Sequence, residues 1–470
     1  MEYKEKFARG ESPFPAQRPW FPFSFGMWQE IWGGTYFQYP YPVKILFQHM
    51  ANPAWSMPGM GGVDDESKPW IRMIKDKEKV PLFIASDIII SESSAYADYI
   101  VPDTTYLEGW GFLGNLPTYP TARTSVRQPV IEPMTKKTPD GRPICMENFL
   151  IDVAKSLKLP GFGENAFLEG GVLNRAEDYY LKMAANVAYD SKNYLAKKGN
   201  GFVHLGPVPD ADPAEMQTVK NYVAKFGKSL RPYEWKKVAY VFARGGRYED
   251  YDVGYLPWGK PKWVTHLWNP KAPVNIYNED VATTHNAISG ERFNGTTVLL
   301  PHRNMKGELL DRLYPKSEYP FRASTHRQPI HSKSRTIADP WLLELLPDAF
   351  WELNEVDAMK LGLTDGDTIR VISPTYEKGI THRVRIMPSV RPGVITAATA
   401  FGRWLYGSGE WYIDGKKYVG DPARNQGVHP NALFLLDKSI AAKDGWTTVL
   451  TDPVGGSMVY FYAPVKIEKV

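Results

Sequence analysis

The sequence predicts an α/β layer with a parallel sheet, followed by a small C-terminal β-barrel. Short apolar strands alternate with helical patterns across residues 43–160, as βαβ units require. From Ala349 onward the pattern changes to short strands separated by Gly and Pro turns, which reads as a barrel. Between the two lie helical and irregular stretches, with no internal repeat.

The elements follow in order. Residues 1–42 are crowded with Pro, Trp, Phe and Tyr and show no clear period, so they are expected to pack against something. Val43–Gln48 is a short apolar run bounded by turn residues and reads as a buried strand, with Asn52-Pro53 as the following turn. Val80–Ser86 is the second strand, leaving through Asp87–Ser91. Ser93–Tyr99 is a short helix candidate stopped by Pro102, and Glu147–Leu157 has apolar residues at helical spacing with Pro160 beyond. Residues 161–235 read as mostly helical, with Arg175–Val187 and Ala214–Phe226 as candidates, and 236–320 as irregular. Thr368–Ser373, His382–Met387 and Gly393–Ala400 are the barrel strands.

Composition narrows the function. A length of 470 residues favours two to four domains. A formal charge of +4 gives no basic excess for nucleic acid and no acidic tail. The charged start of the chain reads as neither a signal peptide nor an anchor, and no apolar run approaches the ~20 residues of a membrane span. The one cysteine, Cys145, excludes an intrachain disulfide, a cysteine-held iron–sulfur cluster and a cysteine zinc site within this polypeptide. It lies just before a helix with no histidine pattern nearby, and is read as structural.

Several residues carry candidate chemistry. Asp87 ends a predicted parallel strand, where α/β sheets bind ligands. It either accepts from a ribose hydroxyl or purine edge, or caps the helix near Ser93. Asn52 occupies the matching place after the first strand, where turn chemistry is the other reading. Thr325, His326, Arg327, His331 and Ser332 cluster at a domain junction. They form either an ordinary polar loop or a donor set for a polyanion. Phe401–Gly409 (FGRWLYGSG) is either a barrel-edge turn or a loop that lets backbone approach a flat ring system. Gly109–Gly114 (GWGFLG) fits G-x-G-x-x-G formally, but Pro117 and Pro120 leave no room for the helix a dinucleotide fingerprint needs.

These segments, in this order, resemble the C-terminal half of molybdenum and tungsten bis-pterin oxidoreductases, the dimethyl sulfoxide reductase family. The resemblance rests on Lys44–Phe47 followed by Asn52-Pro53, and on Ile84–Pro102 (IASDIIISESSAYADYIVP) followed by Glu108-Gly109. It continues through Leu353-Asn354, Asp357, Gly362 and Gly366-Asp367, then Arg391 and Gly393, and ends with Asn431, Asp452-Pro453 and Gly455-Gly456. Tyr277–Asn286 (YNEDVATTHN) and Phe401–Ser408 (FGRWLYGS) are most similar to tetrathionate reductase catalytic subunits, with arsenate, thiosulfate and polysulfide reductases as relatives. Arg403 stands where those carry a histidine.

The resemblance implies three regions. Residues 1–42 would pack on a missing N-terminal half, 43–320 would form the α/β domain with insertions at about 161–320, and 321–470 would form a six-stranded-type barrel, the molybdopterin dinucleotide-binding domain. It implies a bis-molybdopterin guanine dinucleotide cofactor with Mo or W, shared with that half, where the 4Fe-4S cysteines and the metal ligand would also lie. Asn52, Asp87 and Ser91 would contact the guanosine end, with Glu108 supporting that loop. Thr325, His326, Arg327, His331 and Ser332 would face pterin or phosphate, and Arg403, Asn431 and Gly456 would line the barrel side. Two-electron reduction of tetrathionate or a related sulfur or arsenic oxyanion is the implied reaction. Expected partners are the missing half or split subunit, an iron–sulfur electron-transfer subunit, and a membrane anchor subunit, in a periplasmic or outward-facing location. The alternatives are a non-catalytic binding or assembly protein of the same fold, and a nicotinamide-type dehydrogenase suggested only by Gly109–Gly114.

Overall fold

The computed structural model describes residues 2–24, 28–113, 123–167, 170–189, 206–248, 276–333, 336–337 and 339–470. They form two units, one of Met1–Ile100 with Asn275–Val470 and one of Val101–Val274.

The first unit opens with the aromatic segment, some of whose rings pack on this chain's own residues while Phe7 and Tyr41 stay exposed. Tyr36 stacks on Trp446 with ring centroids 4.0 Å apart, and Trp32 meets Trp70 edge-on at 6.1 Å. Arg18 and Glu30 form a buried ion pair at 2.9 Å. The segment also contains two helices, Glu2–Ala8 and Trp28–Phe37, that its lack of period hid. Strands β1 (Ile45–His49) and β2 (Leu82–Asp87) then pair in parallel, from Ile45 against Leu82 to His49 against Ser86. Strand β3 (Tyr99–Pro102) completes a sheet of order β1-β2-β3. Apolar side chains of β2 and of the helix Pro69–Lys75 are buried together: Phe83, Ala85, Trp70, Ile71 and Ile74 join Trp446 in one core. Pro69 suits that helix start, where a missing N–H costs nothing.

The expected helix at Ser93–Tyr99 is a single 3-10 turn, Ser94–Tyr96. Its serines bond to side chains and backbone around them, and Tyr99 already belongs to β3.

In the second unit, β4 (Gly111–Leu113), β5 (Arg123–Arg127) and β6 (Gly246–Tyr248) form an antiparallel sheet. Gly114, Pro117 and Pro120 lie outside the described residues. The predicted helices appear at Met146–Ser156 and Ala176–Tyr189, and the third as a 3-10 turn, Glu215–Val219, running into Lys220–Phe226. A further helix, Glu234–Ala243, lies mostly in the region read as irregular. It buries Trp235, Val238, Ala239 and Phe242 at helical spacing against Leu181 and Ala184.

The barrel is closed and six-stranded, in the order β10-β8-β11-β7-β14-β9. Its strands are β7 (Phe321–His326), β8 (Trp351–Leu353), β9 (Thr368–Ser373), β10 (Tyr376–Ile386), β11 (Val394–Ala398) and β14 (Ala463–Lys469). A hairpin, β12 (Glu410–Ile413) and β13 (Lys416–Val419), stands apart. Alternation puts Trp351 and Leu353, Ile369 and Val371, and Ala463 and Val465 inside. Between β8 and β9, Asn354 caps the helix Glu355–Leu361 by accepting from Val356 N at 2.9 Å. Gly362 ends that helix at φ +63°, as a left-handed C-cap requires. Among the described residues no helix is long and apolar enough to cross a membrane.

Candidate functional site

Within the first unit, four chain segments converge: the end of β1, the end of β2, the loop after β11, and residues 429–431. Asp87 is the last residue of β2 and is buried. One carboxylate oxygen accepts from Ile88 N at 2.9 Å and the other from Ser91 Oγ at 3.0 Å. Burial raises its pKa above the ordinary carboxylate value, against the lowering effect of those bonds. Asp87 therefore does not cap the following helical turn; that turn starts from Ser93 without a side-chain cap.

Asn52 ties the two strand ends together. Its side-chain carbonyl oxygen accepts from Ser93 N at 3.0 Å and Ser93 Oγ at 2.9 Å, and its amide donates to Glu92 at 2.6 Å. Glu92 is fully buried and faces Arg403, itself only 1% exposed, at 3.3 Å. The Leu405 N–H also donates to Glu92, at 3.1 Å. The Arg403 guanidinium lies 3.5 Å from the Trp55 ring centroid and 4.6 Å from that of Tyr406. Burial pulls its pKa below the ordinary value, opposed by the charge of Glu92. Trp55 in turn stacks on His429, centroids 3.9 Å apart and planes 7° off parallel.

Asn431 closes the arrangement by donating to Ser56 O at 2.6 Å, and its backbone carbonyl accepts from Gly59 N at 2.7 Å. Gly62 makes this approach possible. Its φ is +93°, and a Cβ there would sit 2.5 Å from Ala432 N. Gly62→Ala is accordingly expected to lower stability by about 1–3 kcal/mol through strain and overpacking. A thermal melt within a degree of the parent would contradict that.

Asn52, Asp87, Ser91, Arg403 and Asn431 thus share one neighbourhood. Thr325 and His326 occupy the last two positions of β7, opposite Ala397 and Ala398 of β11. His326 lies 3.1 Å from Thr396 Oγ1 and 3.6 Å from Glu352. Arg327 and Ser332 are exposed. His331 is buried, its Nε2 at 3.0 Å from the Leu346 carbonyl and its ring edge-on to Phe401. Glu108 belongs to the second unit and braces a loop there, accepting from Met134 N at 2.7 Å and Thr105 N at 2.8 Å. Gly456 donates to Asp452 O at 2.9 Å in a tight turn. Cys145 is buried beside a helix start, and burial pushes its thiol up to about 12, which suits a structural residue.

The residues missed at sequence level are Glu92, Trp55 and His429. A charged residue inside the buried run Ser91–Ser94 was the available signal for Glu92, since a carboxylate there needs a cation. For Trp55 and His429 the pairing is across distant segments, and nothing local announces it.

Comparison with known proteins identifies the family. Residues 321–440 match the molydopterin dinucleotide binding domain. The chain is 36% identical to a selenate reductase subunit of Mesobacillus selenatarsenatis, over 97% of this chain and 43% of that protein. It is 35% identical to a tetrathionate reductase subunit of Salmonella typhimurium, over 100% and 43%. It is 32% identical to a tetrathionate reductase subunit of Archaeoglobus fulgidus, over 100% and 46%. The chain therefore spans less than half the length of these curated relatives. By these matches, together with the closed barrel that starts at Phe321, the chain belongs to the molybdopterin oxidoreductase family and carries that family's dinucleotide-binding domain at residues 321–440.

Proposed function

We propose that this chain holds and orients a bis-molybdopterin guanine dinucleotide, with Mo or W, for a reductase of tetrathionate or a related sulfur, selenium or arsenic oxyanion. The observation that carries the reading is the buried Asn52–Glu92–Arg403 bridge, which fixes two sheet ends to the loop leaving a barrel strand. The three-stranded sheet is then the α/β layer of the cofactor domain, with its ligand side at the ends of β1 and β2.

The donor set fits the group. Asp87 offers a buried carboxylate whose two oxygens accept from its own loop and keep lone pairs for a guanine N–H edge. Arg327 and Ser332 offer exposed donors for phosphate. Gly402 and Gly407, at φ +67° and +78°, let the backbone of the barrel loop come close to a ring system. When bound, the group supplies two-electron redox chemistry at its metal. This chain's residues hold the dinucleotide. Ser91 and Asn52 lock the loop that presents Asp87, and Arg403 keeps the barrel loop against it. Further partners under this reading are a polypeptide supplying the metal ligand and 4Fe-4S cysteines, an iron–sulfur protein for electron transfer and a membrane anchor, outside the cytoplasmic membrane.

The test is to co-express the chain with the reading frame upstream in a host that makes the cofactor. Bound GMP after acid hydrolysis, pterin fluorescence and metal content are then measured. Loss of one charge-assisted bond in Asp87→Asn is expected to cut GMP occupancy about tenfold at limiting cofactor. A folded complex without pterin, or full GMP occupancy in Asp87→Asn, would overturn the reading.

A further inference from the structure

Lys68 immediately precedes the helix Pro69–Lys75 and is 2% exposed, so its amine is held out of water. Its Nζ donates to the carbonyl of Ala432 at 2.8 Å and to that of Gly59 at 3.4 Å, and lies 4.3 Å from the centroid of the Tyr376 ring. These contacts join three segments of the first unit: the loop 57–68, the 3-10 turn Pro430–Leu433 and the barrel strand β10. Among the described residues no carboxylate pairs with it. Asp65, whose charge it feels, is engaged elsewhere, with Lys378 Nζ at 2.7 Å, the Tyr376 hydroxyl at 3.2 Å and Ser67 N at 2.9 Å.

Two carbonyls and a ring face do not replace the water that a full positive charge loses on burial. A buried ammonium without a counter-ion has two ways out. It gives up its proton, or the segments around it part and return it to water. Burial depresses the Lys68 pKa from 10.5 to about 7, opposed by the charge of Asp65. The packing leaves the side chain no room to swing out alone. A Cβ on Gly59 would sit 2.5 Å from Phe434 O, and one on Gly62 2.5 Å from Ala432 N, so loop and turn lie backbone against backbone. Hydrating Lys68 therefore requires them to separate.

We propose that Lys68 makes the contact between the loop 57–68 and the turn Pro430–Leu433 a pH-sensitive latch, closed over the neutral amine and loosened when the amine takes up a proton. Opened, Lys68 titrates at its ordinary 10.5; closed, at about 7. Between those values opening takes up a proton, so the closed form gains as pH rises. The neighbouring groups do not titrate there. Against burial, the Lys378 bond holds Asp65 well below the carboxylate range. Burial pushes Tyr376 up to about 12 and His429, beside the turn, down to about 3. Arg72, one turn along the helix, pairs with Asp444. The turn carries Asn431, so under the cofactor reading the latch sets how firmly that side of the dinucleotide site is held; the latch itself does not rest on that reading.

Hydrogen exchange of the full chain, followed by mass spectrometry, reads the opening through the amides of Gly59, Gly62 and Trp70, which donate to Asn431 O, Ala54 O and Met60 O. Protection of residues 57–70, corrected at each pH for the intrinsic exchange rate, is expected to rise about tenfold between about pH 7.5 and 9. The helix Glu234–Ala243 of the second unit serves as reference and is expected to change less than about twofold. Lys68→Met removes the titrating group and is expected to flatten the profile over 57–70. Lys68→Gln, which keeps an N–H for the Ala432 carbonyl, gives the same comparison where Met loosens the turn. A flat parent profile over 57–70 would overturn the latch. So would an equal rise in the reference helix, or the full rise persisting in either folded variant. No cofactor enters this measurement, so its outcome is independent of GMP occupancy.

Discussion

Arg403→Met is expected to lower the free energy of unfolding by about 3–5 kcal/mol, among the largest effects a single substitution can have. Arg403 and Glu92 are both withdrawn from water, at 1% and 0% side-chain exposure. Taking two charges out of water is expensive, and the pair persists because each keeps the other. Removing the guanidinium leaves Glu92 buried with, among the described residues, the Asn52 amide and the Leu405 N–H as its hydrogen-bond donors. It also strips a cation from the face of Trp55. Glu92→Gln removes the buried countercharge of Arg403, which keeps its bond to the Ala400 carbonyl and its place over the Trp55 and Tyr406 rings. The double variant Glu92→Gln/Arg403→Met is therefore expected to be much less destabilised than the sum of the two, with a coupling of about 1–3 kcal/mol in urea unfolding. Strict additivity, or an Arg403→Met protein within about 0.5 kcal/mol of the parent, would mean that the pair carries no net energy.

The pair also marks where reading from sequence stops. Asn52 and Asp87 were legible because each follows an apolar strand, and a strand end in an α/β sheet has a known ligand side. Arg403 was legible by its Gly- and aromatic-rich loop. Glu92 was not, although it is what holds Asn52 and Arg403 together, because its partner lies 311 positions away in the chain. The fold divides similarly. The barrel strand Thr368–Ser373 was found with the bounds it has, since its alternation and turns are local. Strand β7 has the same period, but Arg322, Ser324 and His326 make it look like a polar loop until the barrel closes around it. The helix Glu234–Ala243 shows an apolar face at helical spacing, yet the Gly- and Pro-rich sequence that follows it masked that signal. In the aromatic start, Trp32 and Tyr36 pack on Trp70 and Trp446, partners too distant in the chain for any local pattern to announce, while Phe7 and Tyr41 stay exposed.

Acid is expected to destabilise the protein through His429 in a pH window set by burial. His429 is 5% exposed, and neither ring nitrogen forms a well-aligned hydrogen bond, although the Trp55 backbone lies close enough to favour a proton. Desolvation, with the Arg403 charge second, depresses its pKa from 6.5 to about 3. The folded protein therefore keeps the ring neutral where the unfolded chain takes up a proton. Stability from this residue is complete above about pH 6.5 and falls by about 1.4 kcal/mol per pH unit below it, until the folded state itself protonates near the depressed pKa. His429→Phe retains a flat ring against Trp55 and cannot titrate. Between pH 7 and pH 5 the parent is expected to lose about 2 kcal/mol more than His429→Phe does. Other titrating groups are shared by the two proteins, so the difference isolates the imidazole. Parallel stability profiles for the two over that range would show that His429 takes up its proton as readily in the fold as in the unfolded chain. The Trp55–His429–Arg403 cluster would then be open to water, and Arg403→Met would be expected to cost far less than about 3 kcal/mol, because a hydrated Glu92 does not need its cation.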